Sequence, residues 1–327
     1  MARVFTIFIF SLFLVLQVNG QLKWQNVDSL FQLLPSSVHV YRTTDLLDGK
    51  PNIAYYVEAD LKDKKLDFTV DTTYQRRLTP TKFYERNDNP LLVVNTTFFS
   101  FETNSNLNLV VKDGKVLSKN VESVSLKGKD TLRYFHTLGS AIGINKNGAD
   151  IAWLLTKRSK KKIIASPWPI SWIDSAKNIK MDSVDYYSKL IIGHSGKTES
   201  TLFRWKMQVA VGGGPVLMAD GKINITNNEE RKFAGKAIED KHPRTAMGYT
   251  KDNKLIILVI EGRNNGKAEG ATLTQEAQIF KDLRCWEALN LDGGGSSCML
   301  VNGKETIKVS DATGQRPVPA VFIIKQK

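Results

Sequence analysis

Three times in this chain an Asp-Gly or Asn-Gly pair sits between short apolar runs: Lys112-Asp113-Gly114-Lys115-Val116, Ala219-Asp220-Gly221-Lys222-Ile223 and Val301-Asn302-Gly303-Lys304. Both residues of such a pair tolerate positive φ, which a two-residue turn between right-twisted antiparallel strands requires. The turns therefore specify hairpins. Further strands are predicted at 55–60 and 65–70, joined by the polar turn 61–64, and at 91–94, ending on Asn95. Thr272-Leu273-Thr274-Gln275 fits a capping box, and Leu273, Ala277 and Phe280 share one helical face, which predicts a helix over roughly 273–284. The expected class is α+β: largely antiparallel, hairpin-built sheets with a few packed helices.

Each hairpin follows an irregular loop, at 95–99, at Gly212-Gly213-Gly214-Pro215 and at 292–297, so these loops are expected to converge on one cleft. The third loop carries the most chemistry. An apolar run ending in Asn290-Leu291 leads into Asp292-Gly293-Gly294-Gly295-Ser296-Ser297. Consecutive glycines let a ligand approach the backbone, and their N–H groups can form an anion-binding concavity with Asp292 at its lip. The competing reading is a glycine-rich turn with an Asp cap. On the predicted helix, Glu276 falls within the apolar face, about 40° from Phe280. A carboxylate there is either functional or paired with an arginine, because burying it alone is costly.

The chain has 327 residues, enough for one large core or two modest ones, and its 42% hydrophobic and 24% charged residues make it globular. Arg3 precedes an apolar run over 4–18 and the small-residue stretch Val18-Asn19-Gly20, the pattern of a secretory signal. Residues 1–20 are therefore expected to leave, and the protein to act secreted or in a periplasm with no stable membrane insertion. A strand-rich segment over 21–85 then leads into the main domain over 86–327. The formal charge of +13 suits phosphorylated glycans, anionic polymers or membrane surfaces. No nucleic-acid recognition signature accompanies it. Lys157-Arg158-Ser159-Lys160-Lys161-Lys162 reads as a solvated loop. No zinc spacing joins the two cysteines to the four histidines, and no cofactor is expected. Oligomeric state has no sequence signature here.

Cys285 and Cys298 flank the glycine loop, and in an oxidising compartment their pairing would contribute about 3 kcal/mol in the chain-entropy model. Gly193-His194-Ser195-Gly196-Lys197-Thr198 lacks the first glycine of a P-loop, since Ile191 stands there. Gly295-Ser296-Ser297-Cys298 lacks the spacing of a nucleophile elbow. Asn95-Thr96-Thr97 and Asn224-Ile225-Thr226 match the glycosylation sequon.

Taken together, Asn290 to Ser297 resembles the signature of the phosphodiester glycosidases, and other blocks follow in that family's order. Asn95 with Phe98-Phe99 is similar to its Asn-x-x-Phe-Phe, 209–221 to its glycine-proline segment, and His242-Pro243-Arg244-Thr245-Ala246-Met247-Gly248 to its His-Pro-Arg-Thr-Ala block. Val259-Ile260-Glu261-Gly262-Arg263, then Gly270 to Leu273 and Glu276, is similar to the next. Thr96-Thr97 depart from the family's small residues and Glu261 from its usual Asp, and the stretch 155–200 has no counterpart. The resemblance implies hydrolysis of the anomeric bond of a sugar-1-phosphodiester, giving free sugar and phosphomonoester.

On that reading Arg244 and Arg263 hold the phosphodiester, with Thr245, Ser296 and the N–H groups of Gly293, Gly294 and Gly295. Asp292 and Glu276 are the candidate catalytic carboxylates, and Asn95 a partner for a sugar hydroxyl. The competing class is a non-catalytic protein that binds glycans or cell-surface polymers, for which Trp168-Pro169-Ile170-Ser171-Trp172 could supply stacking rings.

Overall fold

The computed structural model describes residues 21–121, 123–125, 134–157, 162–173, 202–235 and 237–327. The expected leader and much of the basic and aromatic stretch lie outside the described residues. Among those described, four sheets and three α-helices make an α+β fold, and every strand pairing is antiparallel. All three predicted hairpins form. Val110–Lys112 pairs with Lys115–Ser118, Val216–Ala219 with Lys222–Ile223, and Met299–Val301 with Lys304–Glu305. Their turn residues sit at positive φ, from 46° at Asn302 to 77° at Gly303.

The largest sheet runs Gln25–Asn26, Val38–Thr43, Ala54–Asp60, Lys254–Ile260, Arg244–Thr250, Cys285–Asn290, Val216–Ala219, Lys222–Ile223. A seven-stranded sheet is centred on Gly148–Lys157, Gly139–Asn145 and Val209–Gly212, and a five-stranded one on Leu92–Asn95 and Ala320–Gln326. The predicted neighbours at 55–60 and 65–70 do not pair with each other. Ala54–Asp60 lies in the large sheet, whereas Leu66–Thr72 pairs along its whole length with Ala320–Gln326. The polar turn between them carries the chain from one sheet to another, with Asp60 and Asp63 accepting from the backbone N–H groups of Lys62 and Lys65.

One core is shared by these three sheets. Val57, Leu255, Ile257 and Val259 of the first meet Ile142, Ile151 and Val211 of the second and Val94, Val70 and Phe322 of the third. The strand Lys254–Ile260 shows the consequence: Leu255, Ile257 and Val259 face that core, while Ile256, Leu258 and Ile260 face the other way. Both faces are buried, so the strand is apolar throughout.

The second face is covered by the helix Leu273–Asp282, whose Leu273, Ala277 and Phe280 pack on Ile256, Leu258 and Ile260. Its capping box is present, Thr272 Oγ1 accepting from Gln275 N at 3.1 Å and Gln275 Oε1 from Thr272 N at 2.9 Å. Gly248 lets the helix approach, because a Cβ there would stand 2.9 Å from the Phe280 ring. None of the described helices is long and apolar enough to cross a membrane.

The expected disulfide is absent. Cys285 and Cys298 are both free and buried, Cys285 under the helix and Cys298 against the outer face of the five-stranded sheet beside Phe83 and Val321. The glycine loop between them crosses from one sheet to the other, which carries the two thiols into separate clusters. Burial pushes both thiols up, so they stay protonated.

Candidate active site

Each large sheet sends one strand end to the same place. Asn95 ends a strand of the five-stranded sheet, Gly212 one of the seven-stranded sheet, and Asn290 one of the eight-stranded sheet. Hydrogen bonds tie the loops that follow. Asp292 N donates to Thr96 O at 2.8 Å, Gly214 N to Asn290 O at 2.8 Å, and Asn108 Nδ2 to Gly213 O at 3.3 Å. The convergence expected from the three hairpins is therefore built largely by backbone groups, with the Asn108 side chain as a further tie.

Asn95 is the knot of this arrangement. Fully buried, it donates from Nδ2 to Asp292 O at 2.6 Å, while its Oδ1 accepts from Thr245 Oγ1 at 3.0 Å and Cys298 N at 3.1 Å. Thr245 is equally enclosed and reaches Ser297 Oγ at 3.1 Å. Both side chains brace the Asp292 loop from beneath, and neither is open to a sugar hydroxyl.

Asp292 stands above that brace, partly buried. Burial pushes its carboxyl up to about 7 against the Ser296 hydroxyl, the Arg316 guanidinium and the Gly293 N–H, which favour the charged form. The Ser296 oxygen meets no partner at full hydrogen-bonding geometry, and Thr96 Oγ1 and Asn290 Oδ1 are likewise buried without a protein partner.

The glycines serve a different purpose from the one expected. Gly294 N donates to Pro243 O at 2.8 Å, and the Gly293 N–H is turned on Asp292 itself, so little of an N–H cradle remains. What the missing side chains provide is a surface on which arginines lie. A Cβ on Gly294, already at φ +62°, would stand 3.1 Å from Arg263 Nη2, and one on Gly295 would land on the Arg316 guanidinium. Arg263 is exposed, and its Nη2 donates to His242 Nδ1 at 3.4 Å. Burial and the charges of Arg244 and Arg263 hold His242 below its ordinary value, hence neutral near pH 7. Arg316 is anchored through Nε to Asp311 Oδ2 at 2.7 Å, and its guanidinium carbon lies 5.5 Å from the Phe101 ring centroid.

Arg244 and Glu276 form a separate, deeper layer. Arg244 is buried, its Nε donating to Ala271 O and its Nη2 to Asp240 O, each at 2.8 Å. Glu276 is fully enclosed on the inner face of the helix, and neither carboxylate oxygen has a hydrogen-bond partner among the described residues. Burial pushes it up to about 8, with Arg244 opposing. The two carboxylates expected in one cleft thus differ in setting: Asp292 is half-buried in the glycine loop, and Glu276 is enclosed on the helix with the Arg244 charge favouring its ionised form.

Sequence reasoning missed Arg316, which sits in the polar loop before the last strand and carries no local signal. It also missed Lys232, whose ammonium lies 5.4 Å from the Phe98 ring centroid and whose stem occupies the space a Gly214 Cβ would need. Beneath it Glu230, buried, accepts from Trp153 Nε1, Val216 N, Thr226 Oγ1 and Ser140 Oγ. That network joins the seven- and eight-stranded sheets. Among the described residues no group of three or more His, Cys, Asp or Glu is arranged to hold a metal ion.

Residues 173–325 match the model of the phosphodiester glycosidase family, which bears out the resemblance in the sequence. The SPbeta prophage-derived uncharacterized protein YomE of Bacillus subtilis is 26% identical over 249 residues; the match takes in 70% of this chain and only 38% of YomE. A hypothetical protein from Synechocystis superposes with a TM-score of 0.57 at 14% identity, over 93% of this chain and 68% of its own. The catalytic domain of zebrafish N-acetylglucosamine-1-phosphodiester alpha-N-acetylglucosaminidase, auto-inhibited by its pro-peptide, superposes with a TM-score of 0.55 at 18% identity, over 94% of this chain and 89% of its own. At these identities the two structures establish a shared fold.

Proposed function

We propose that this chain hydrolyses the anomeric C–O bond of a sugar-1-phosphodiester, of the N-acetylglucosamine-1-phosphodiester type, to free sugar and phosphomonoester. The observation that carries the reading is the triglycine loop, with Asp292 at its head and the guanidinium groups of Arg263 and Arg316 lying on Gly294 and Gly295. Two planar cations on a side-chain-free surface suit a phosphodiester, whose oxygens accept paired N–H donors. A carboxylate beside them suits the positive charge that develops on the sugar as the bond opens. The family matched by residues 173–325 supports this class of substrate.

Phosphate leaves without strong protonation, so most of the acceleration falls to fixed charge. Arg263 and Arg316 stabilise the charge gathering on the departing phosphate. Asp292, about half ionised near pH 7, faces the sugar and either directs the attacking water or bonds to the anomeric carbon transiently. Asn95 and Thr245 hold the loop in register, and Glu276 acts through Arg244 without touching substrate. Hydrolysis of a methyl N-acetylglucosamine-1-phosphodiester in ¹⁸O-water tests the bond that breaks. The label is expected in the sugar; label in the phosphate would mean P–O cleavage and would overturn the reading.

A further inference from the structure

The cations at this site do not stop at the loop that holds one phosphate. Arg77 lies with its guanidinium carbon 5.2 Å from the Phe101 ring centroid and 5.2 Å from that of Phe99, the two rings being 4.8 Å apart. Arg316 approaches the same Phe101 ring at 5.5 Å while resting on Gly295. Phe101 is 64% exposed, a large apolar ring that folding leaves in water. The bridge between Leu78 and Val318 sets the segments carrying Arg77 and Arg316 side by side. A continuous path therefore runs from Arg263 on Gly294 to Arg316 on Gly295, then across Phe101 to Arg77.

The charge along this path is poorly neutralised within the chain. Of the ion pairs among the described residues, Arg316–Asp311 is the one that touches it; Arg77 and Arg263 have no carboxylate within ion-pair distance. Leaving like charges in a row costs energy unless an anion offsets it. One phosphodiester occupies Arg263 and Arg316 on the functional reading above, so Arg77, beside the same exposed ring, is left for a further group. Rings of this kind stack on the apolar faces of sugars. Cation, ring and cation in sequence match phosphate, sugar and phosphate.

We propose that the substrate is a polymer of sugars joined by repeating phosphodiesters, with Phe101 and Arg77 taking the sugar and the phosphate next to the bond that is cut. This rests on the proposed hydrolase reading for which phosphate is cut, but the surface itself is separately measurable. The site then works on a chain end or an internal link of a polyanion, and its affinity grows with the number of phosphates engaged.

Calorimetry on the full chain carrying Asp292→Asn tests this without turnover. Its probes are a synthetic tetramer of N-acetylglucosamine units joined by 1-phosphodiesters and the methyl diester of one unit. The tetramer is expected to bind about tenfold tighter, through the second contact, and the advantage to shrink as salt screens it. Adding Arg77→Ala should remove most of that advantage, and Arg77→Lys should keep much of it, with melting temperatures matching the parent. Equal affinity for the two probes, an advantage that survives Arg77→Ala, or equally tight binding of a polyglutamate of the same charge would each overturn the proposal. If the unmutated chain binds the tetramer through Arg77 yet releases no sugar, the hydrolase reading falls and the surface stands. If it hydrolyses the methyl diester without preferring the tetramer, the surface falls and the hydrolase reading stands.

Discussion

Asp292 and Glu276 are both carboxylates raised by burial, yet their surroundings give them different work. Asp292 borders the cleft and titrates near 7, so kcat/KM should rise with pH through about 7 as the carboxylate forms. Asp292→Asn removes that charge while keeping the shape, and kcat should fall on the order of a thousandfold or more with little change in melting temperature. A pH–rate profile with no limb near 7 would take the ionisation away from Asp292. Glu276 titrates near 8 and is enclosed, hence neutral at pH 6.5, where Gln is a close copy of it. Glu276→Gln should leave kcat at pH 6.5 within about threefold, the range of an indirect effect through Arg244. A loss of orders of magnitude there would restore to Glu276 the catalytic part expected from the sequence. Gly295→Ala adds one methyl where the Arg316 guanidinium lies, so KM should rise about tenfold, equivalent to about 1.4 kcal/mol of binding. An unchanged KM would show that Arg316 does not hold the substrate.

At the scale of elements, the helix Leu273–Asp282 and the hairpins were readable because their signals are local. A capping box spans four residues, and an Asp-Gly turn needs two. Thr272→Ala removes the half of the box made by the Thr272 hydroxyl and should cost about 1 kcal/mol in urea unfolding, whereas Thr272→Ser keeps the hydroxyl and should cost little. Equal stability of the two variants would mean the box contributes nothing measurable. The loops behaved differently. That Gly293 to Gly295 form an open, side-chain-free loop beside Asp292 was legible, but which groups lie on that loop was not. The N–H groups of Gly294 and Gly293 are taken by Pro243 and Asp292, and the arginines that lie on Gly294 and Gly295 come from segments on either side in sequence. The disulfide expectation failed for the same reason, since cysteines close in sequence were carried into different sheets.

Across the whole molecule, four enclosed or half-buried carboxyl groups share one signature, an upward shift caused chiefly by burial: Asp292 and Glu287 are raised to about 7, Glu276 to about 8, and Asp150 in the same direction. The folded chain keeps protons that the unfolded chain gives up near pH 4. Stability is thus greatest at or below about pH 4 as far as these groups are concerned, and it is lost as pH rises toward about 8. The aspartates lowered in the folded state, such as Asp60 and Asp311, lie near the surface and act in the opposite sense at more acid pH. The melting temperature should therefore be several degrees higher at pH 5 than at pH 8.5. Glu287→Gln, which removes the titrating carboxyl that accepts from Tyr249 Oη at 2.6 Å, should flatten part of that slope. A melting temperature that climbs steadily to pH 8.5 would contradict the burial of these groups.

By itself the sequence determined the α+β class, the three hairpins, the capped helix, the position of Glu276 on its inner face and Asp292 at the head of the glycine loop. Each of these depends on residues within about one turn or one strand of each other, where steric and hydrogen-bonding rules act directly. Only the tertiary structure decided that Leu66–Thr72 pairs with the C-terminal strand rather than with its neighbour in sequence. It also turned Asn95 and Thr245 into braces, buried Arg244, brought Arg316 onto the loop and set Arg77 against Phe101. These outcomes depend on which surfaces of three sheets meet around one core, and no local rule in the chain specifies that meeting.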